Sequence, residues 1–154
     1  MRKNREKKLN GTYFVKSNII SEIAKQICSK ETQYMFMEVL EESMIRFKIT
    51  IKNFIILKDE FQIVIQTIGK TDISEVMQWI KQIFSIRFNK KFNRIGTVWR
   101  SRFKSILLKV KENVEKFIKI INELPVKLKL CIVNGEYRFS GLYHIKNRIN
   151  TIIN

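Results

Sequence analysis

Cysteine, proline, glycine and histidine are all scarce in this chain of 154 residues: two Cys, one Pro, five Gly and one His. Two cysteines make neither a disulfide framework nor a thiolate metal site. Cys28 and Cys131 both sit in apolar sequence and are expected to be buried free thiols. One histidine, His144, cannot build a multi-histidine metal centre. So little Pro and Gly excludes collagen-like and low-complexity architectures. No apolar run reaches the roughly 18 residues of a membrane span. The basic residues 1–10 are not followed by an apolar signal-peptide core, so a cytoplasmic, nucleoid-associated protein is expected.

Acid is the other shortage. Lys plus Arg is 30 and Asp plus Glu only 14, a net charge of +16 and a pI near 10.0. That excess has to meet something negative: nucleic acid, an anionic membrane surface or an acidic protein. The excess is concentrated. Between Glu75 and Glu112 there is no acid, but there are ten bases: Lys81, Arg87, Lys90, Lys91, Arg94, Arg100, Arg102, Lys104, Lys109 and Lys111. Phe92, Trp99 and Phe103 are interleaved with them, most densely in WRSRFK. Lys and Arg neutralise phosphates and release counterions, and an exposed aromatic stacks on unpaired bases. The competing reading is a solvated helix face with Trp99 and Phe103 in the core. A membrane surface is disfavoured because the apolar helix faces are needed for that core.

At 45% hydrophobic and 11% aromatic residues, the chain can bury a single core. Residues 1–11 read as a mobile basic arm and 12–154 as one domain. Tyr13 to Asn18 reads as a strand, and residues 19–30 are ambiguous between loop and short helix. Glu31 to Phe47 is a helix with Phe36, Leu40, Met44 and Phe47 on one face and Glu38, Glu41 and Glu42 on the other. Ile49 to Leu57 and Phe61 to Ile68 form a hairpin through Lys58-Asp59. In the second strand Phe61, Ile63 and Ile65 alternate with Gln62, Val64 and Gln66. Asp72 caps a helix over 73–92, and Lys104 to Val110 is a further, central strand. Asn113 to Leu124 is a helix that Pro125 terminates. A turn at Asn134-Gly135 precedes a short last helix. The order β-α-β-β-α-β-α suggests an α+β, ferredoxin-like antiparallel sheet with its helices packed on one face.

The segments SEVMQWIKQIFSIRFNKK and GTVWRSRFKSIL, spanning Ser74 to Leu107, resemble the REP-associated tyrosine transposases, single-strand transposases of the His-hydrophobe-His group. YFVKSN, LPVK and, weakly, YRFSGLY extend the resemblance over residues 12–145. It implies nicking and joining of single-stranded DNA beside a hairpin. Two histidines one residue apart would hold a divalent metal, and a helix tyrosine would attack the phosphate. The histidine positions fall on Glu60 and Gln62, around Phe61, and the tyrosine position on Ile120. Glu60 and Gln62 still share a strand face and are at most a weak Mg or Mn site; otherwise no cofactor is expected.

The leading expectation is therefore a catalytically inactive relative that binds a DNA hairpin with a flanking strand, or other structured single strands, as a domesticated regulator. Lys81, Arg87, Lys90, Lys91, Arg94, Arg100, Arg102 and Lys104 are assigned to phosphates and Trp99 to base stacking. Arg2, Lys3, Arg5, Lys7 and Lys8 of the arm add affinity or reach a groove. RNA in place of DNA is a further admissible ligand, since charge and stacking do not distinguish the two without a 2′-OH contact. One alternative is a metal-dependent nuclease with a displaced nucleophile, Tyr137 or Tyr143. Another is a homodimer that uses the surface around Ile120 to modulate a transposase or another DNA-bound partner.

Overall fold

The computed structural model describes residues 5–153, so Arg2 and Lys3 of the expected arm lie outside the described residues. Four strands form one antiparallel sheet: β1 (Thr12–Asn18), β2 (Ile49–Ile56), β3 (Glu60–Thr67) and β4 (Lys104–Leu108). Their spatial order is β2-β3-β1-β4, the ferredoxin-like arrangement. The expected α+β class is therefore the observed one. β4 lies at an edge of this sheet rather than in its centre, next to β1 alone.

Period-2 alternation makes both faces of the sheet apolar. Tyr13, Val15, Phe61, Ile63 and Ile65 point to one face and join the main core. That core is capped by α2 (Lys30–Arg46) and α3 (Ile73–Lys91), which contribute Phe36, Leu40, Val76, Ile80, Phe84 and Phe88. Ile55, Leu57, Val64 and Leu108 point to the other face, where Phe14 joins them. A one-sided helix layer would leave this second apolar surface wet. It is covered instead by α4 (Lys111–Lys127), through Val114, Phe117, Ile118, Ile121 and Leu124. Phe14 stacks on Phe117 at 4.6 Å between ring centroids. The helices thus divide between the two faces, and this division positions the candidate site.

The helix boundaries follow local chemistry. Ser29 accepts the Thr32 N–H at the start of α2, and Asp72 accepts the Ser74 N–H at the start of α3. Residues 21–27 resolve into a 3₁₀ turn (Ser21–Ile23) and the single turn α1 (Ala24–Ile27). Pro125 does not terminate α4: the helix runs on to Lys127 with Pro125 inside its last turns. There the carbonyls of Leu124, Pro125 and Val126 accept from Leu128, Leu130 and Lys129, so the chain closes off beyond the proline. The thiols are not buried as expected: Cys28, just past the Ile23–Ile27 apolar edge, is exposed, and Cys131 is half-buried beyond α4. The described part of the arm is docked. Arg5 donates to the Phe103 carbonyl, Lys7 pairs with Asp72 at 2.8 Å, and Glu6 pairs with Lys109 at 2.7 Å.

A bulge at Lys52 shifts the β2–β3 register between Ile51 and Asn53. It brings Asn53, fully buried, beneath α4, where its amide donates to the Ile118 carbonyl and to Asn122 Oδ1. The start of α5 (Gly141–Lys146) closes over the same point. A Cβ on Gly141 would lie 2.2 Å from Asn53 Oδ1 and 3.2 Å from the Phe54 nitrogen. Gly141→Ala is therefore expected to cost ~1–3 kcal/mol by overpacking. Urea unfolding measures this, and an unchanged midpoint would show that the segment does not press on the bulge.

Candidate nucleic-acid interface

The face of the sheet beneath α4 carries the positions that the sequence singled out. Glu60 and Gln62 open β3 there, and their cross-strand partners on β1 are Asn18 and Lys16. Lys104 of β4 stands opposite Lys16 on the other side. Directly opposed residues of an antiparallel pair share a face, so Lys16, Glu60, Gln62 and Lys104 form one polar patch. Lys16 Nζ lies 3.1 Å from Glu60 Oε2, and Gln62 Nε2 donates to that same oxygen at 3.2 Å. Gln62 is buried, and its Oε1 has no hydrogen-bond partner.

A divalent cation needs several oxygens converging on one point. Here Gln62 turns its nitrogen to Glu60, and the Lys16 ammonium already faces the carboxylate. No group of three or more His, Cys, Asp or Glu side chains fit to hold a metal occurs among the described residues.

Ile120 lies on the outer side of α4 and is 37% exposed, while Ile118 and Ile121 face the sheet. Tyr137, on the segment after α4, donates its hydroxyl to the Ile56 carbonyl at 2.5 Å, and Gln33 approaches it at 3.5 Å. Burial pushes this phenol up to about 12. A hydroxyl so engaged and so weakly acidic is the reverse of an activated nucleophile. Tyr143 and Tyr34 both lie beside the Arg138 guanidinium, away from Glu60.

The structure sorts the basic residues into separate places. Arg100 begins where β1 ends, its N–H donating to the Asn18 carbonyl, close to the Lys16–Glu60 pair. Arg87 pairs with Glu42 of α2, and with Lys90 and Lys91 it lines a cleft shared with Glu31 and Glu38. The acidic face of α2 therefore answers Arg87 inside the molecule and shares a cleft with Lys90 and Lys91. Arg94 is folded onto its own loop, donating to Asn89 and to the Thr97 carbonyl. Lys81 and Arg102 line a pocket with Arg5 on the α3 side of the sheet. Lys16 is the residue the sequence reading missed. Its only signal was its place on β1, two residues after the face-defining Phe14, which becomes informative once β1 is known to lie between β3 and β4.

Trp99 is not a free stacking platform. Its ring is half-buried against Phe36, Phe61 and Phe84, and its indole N–H donates to the Lys81 carbonyl at 3.0 Å. Trp99→Ala is expected to lower unfolding stability by ~3–5 kcal/mol, a core-type loss. A change below ~1 kcal/mol, accompanied by loss of the ~1–3 kcal/mol that a stacked base contributes to single-strand binding, would return the ring to the ligand.

Lys81 is half-buried, and desolvation with the charges of Arg5 and Arg102 lowers its pKa to about 8. The unfolded chain, with Lys near 10.5, then binds more protons than the folded one between these values. Stability should rise as pH passes upward through that window. Lys81→Met should flatten the rise relative to the wild type in denaturation series between pH 7 and 10; parallel curves would contradict the shift.

The sequence pattern that defines the family "Transposase IS200 like" matches residues 3–123, so the chain belongs to that family. The fold matches that of a REP-associated tyrosine transposase bound to a REP hairpin, with a TM-score of 0.80. That match has 17% identity and covers 96% of this chain and 86% of that one. A protein from Deinococcus radiodurans assigned as a transposase matches with a TM-score of 0.54 and 14% identity, over 78% of this chain and 94% of the other. No curated protein sequence matches. No described helix is long and apolar enough to cross a membrane.

Proposed function

We propose that this member of the IS200-like transposase family binds structured DNA, a hairpin with a flanking single strand, without cutting it. One observation carries the reading: Lys16 holds Glu60 in an ion pair on the sheet face beneath α4, and α4 carries no Ser, Thr or Tyr, the resemblance expecting its attacking tyrosine at Ile120. With Lys16 committed to Glu60, an anionic backbone is attracted to Lys104 and Arg100. With no hydroxyl nucleophile on α4, the covalent step of a tyrosine transposase has no attacking atom.

The family membership and the likeness of fold to a hairpin-bound transposase support DNA as the ligand. The concentration of bases in Glu75–Glu112 supports an electrostatic mode of binding. A metal-free protein with a regulatory role on DNA follows from the same reading. A labelled hairpin with a single-stranded flank should bind with an affinity that falls steeply with salt, about 0.7–0.9 in log K per log salt for each phosphate contacted. Lys104→Ala and Arg100→Ala should each reduce that slope by roughly one contact. Affinity that does not change between low and high salt, or cleavage of the hairpin on adding Mg²⁺ or Mn²⁺, would contradict the proposal.

A further inference from the structure

On the α3 side of the sheet, away from the Lys16–Glu60 patch, three cations converge on one pocket of about 270 Å³. Its walls are Arg5, Ser74, Gln78, Lys81, Arg102 and Phe103. Ser74, Gln78 and Lys81 stand at helical spacing on one face of α3, so a hydroxyl, an amide and an ammonium line a single wall. The cations are held in place by backbone oxygens. Lys81 Nζ donates to the Ser101 carbonyl at 3.0 Å and Arg5 Nη2 to the Phe103 carbonyl at 2.8 Å. The Arg5 guanidinium also lies flat over the Phe103 ring at 3.7 Å.

Among the described residues no carboxylate pairs with Lys81 or Arg102, and the neighbouring Asp72 is taken by Lys7. Burial, and after it the like charges of Arg5 and Arg102, disfavour the Lys81 ammonium, and an anion in the pocket would relieve the like-charge part. Concave shape, fixed donors and the charge of Lys81 and Arg102, unanswered among the described residues, together describe an anion site rather than a solvated face.

The geometry points to a phosphate seat at Arg5, Lys81 and Arg102 that takes a backbone phosphate of the flanking single strand. This rests on the DNA-binding reading and extends it. Arg102 and Phe103 run directly into edge strand β4, whose Lys104 belongs to the opposite face. A strand leaving the Lys104 side must turn round the β4 edge to reach the seat. A stiff duplex does not turn so sharply over this distance, whereas a single strand does.

The test compares a hairpin carrying a single-stranded flank with the same hairpin lacking it, titrated with wild type, Lys81→Gln and Arg102→Ala. Thermal unfolding confirms that each variant is folded; both substitutions remove charge from a crowded cluster, so neither should lower stability. Each variant should bind the flanked hairpin more weakly, with a salt slope reduced by about 0.7, and the bare hairpin as the wild type does. Wild-type affinity for the flanked hairpin in both variants would overturn the seat while leaving DNA binding intact. A separate arm uses inorganic phosphate against chloride at matched ionic strength. Phosphate should raise the wild-type midpoint more than that of Lys81→Gln. If the wild type bound no DNA but phosphate still acted through Lys81, the seat would stand and the DNA reading would fall. Equal phosphate effects on both proteins would overturn the seat itself.

Discussion

The arrangement depends on one constraint, the need to bury two apolar faces of a single sheet. Phe14 and Val15, or Ile63 and Val64, send adjacent side chains to opposite sides, and neither side is polar enough to remain wet. α2 and α3 satisfy one side and α4 the other. Because α4 is held down by the Phe14–Phe117 stack and by Asn53, it lies over the same face as Glu60 and Gln62. The fold therefore sets the polar patch of Lys16, Glu60 and Gln62 on the face that α4 covers.

That patch is a closed set of polar contacts. Lys16, Glu60 and Gln62 neutralise and bond one another across two strands. Such a pair is modest in energy at a half-exposed site. Its consequence is chemical: the Glu60 carboxylate faces the Lys16 ammonium. The patch retains positive charge toward phosphate through Lys104 and Arg100, while its single carboxylate is engaged by Lys16.

Much of the scaffold was legible in the sequence because period and capping are local. The β2–β3 hairpin, the Asp72-capped helix and the alternation of β3 were read within a residue or two. The division of helices between the two faces was not legible, because short apolar runs such as ITIKNFIIL do not reveal which neighbours cover which side. Pro125 misled because a proline in the last turns of a helix removes only one bond. The basic run was found as a run, but its sorting was invisible. Whether Arg87 faces DNA or Glu42 depends on how α2 packs on α3, and whether Trp99 stacks on a base or on Phe61 depends on where the loop returns. Lys16 carried no signal until its strand acquired neighbours.

The proposed location puts nucleic acid at the Lys104 and Arg100 end of the sheet face beneath α4, turning at the β4 edge. Amide hydrogen exchange of the protein with and without flanked hairpin DNA tests this most directly. The account predicts added protection at the end of β1 and through Arg100–Lys104, with α2 and the Arg87–Lys91 turn unchanged. Protection confined to the α2–α3 cleft or to the segment after α4, with β1 and residues 100–104 unaffected, would contradict it.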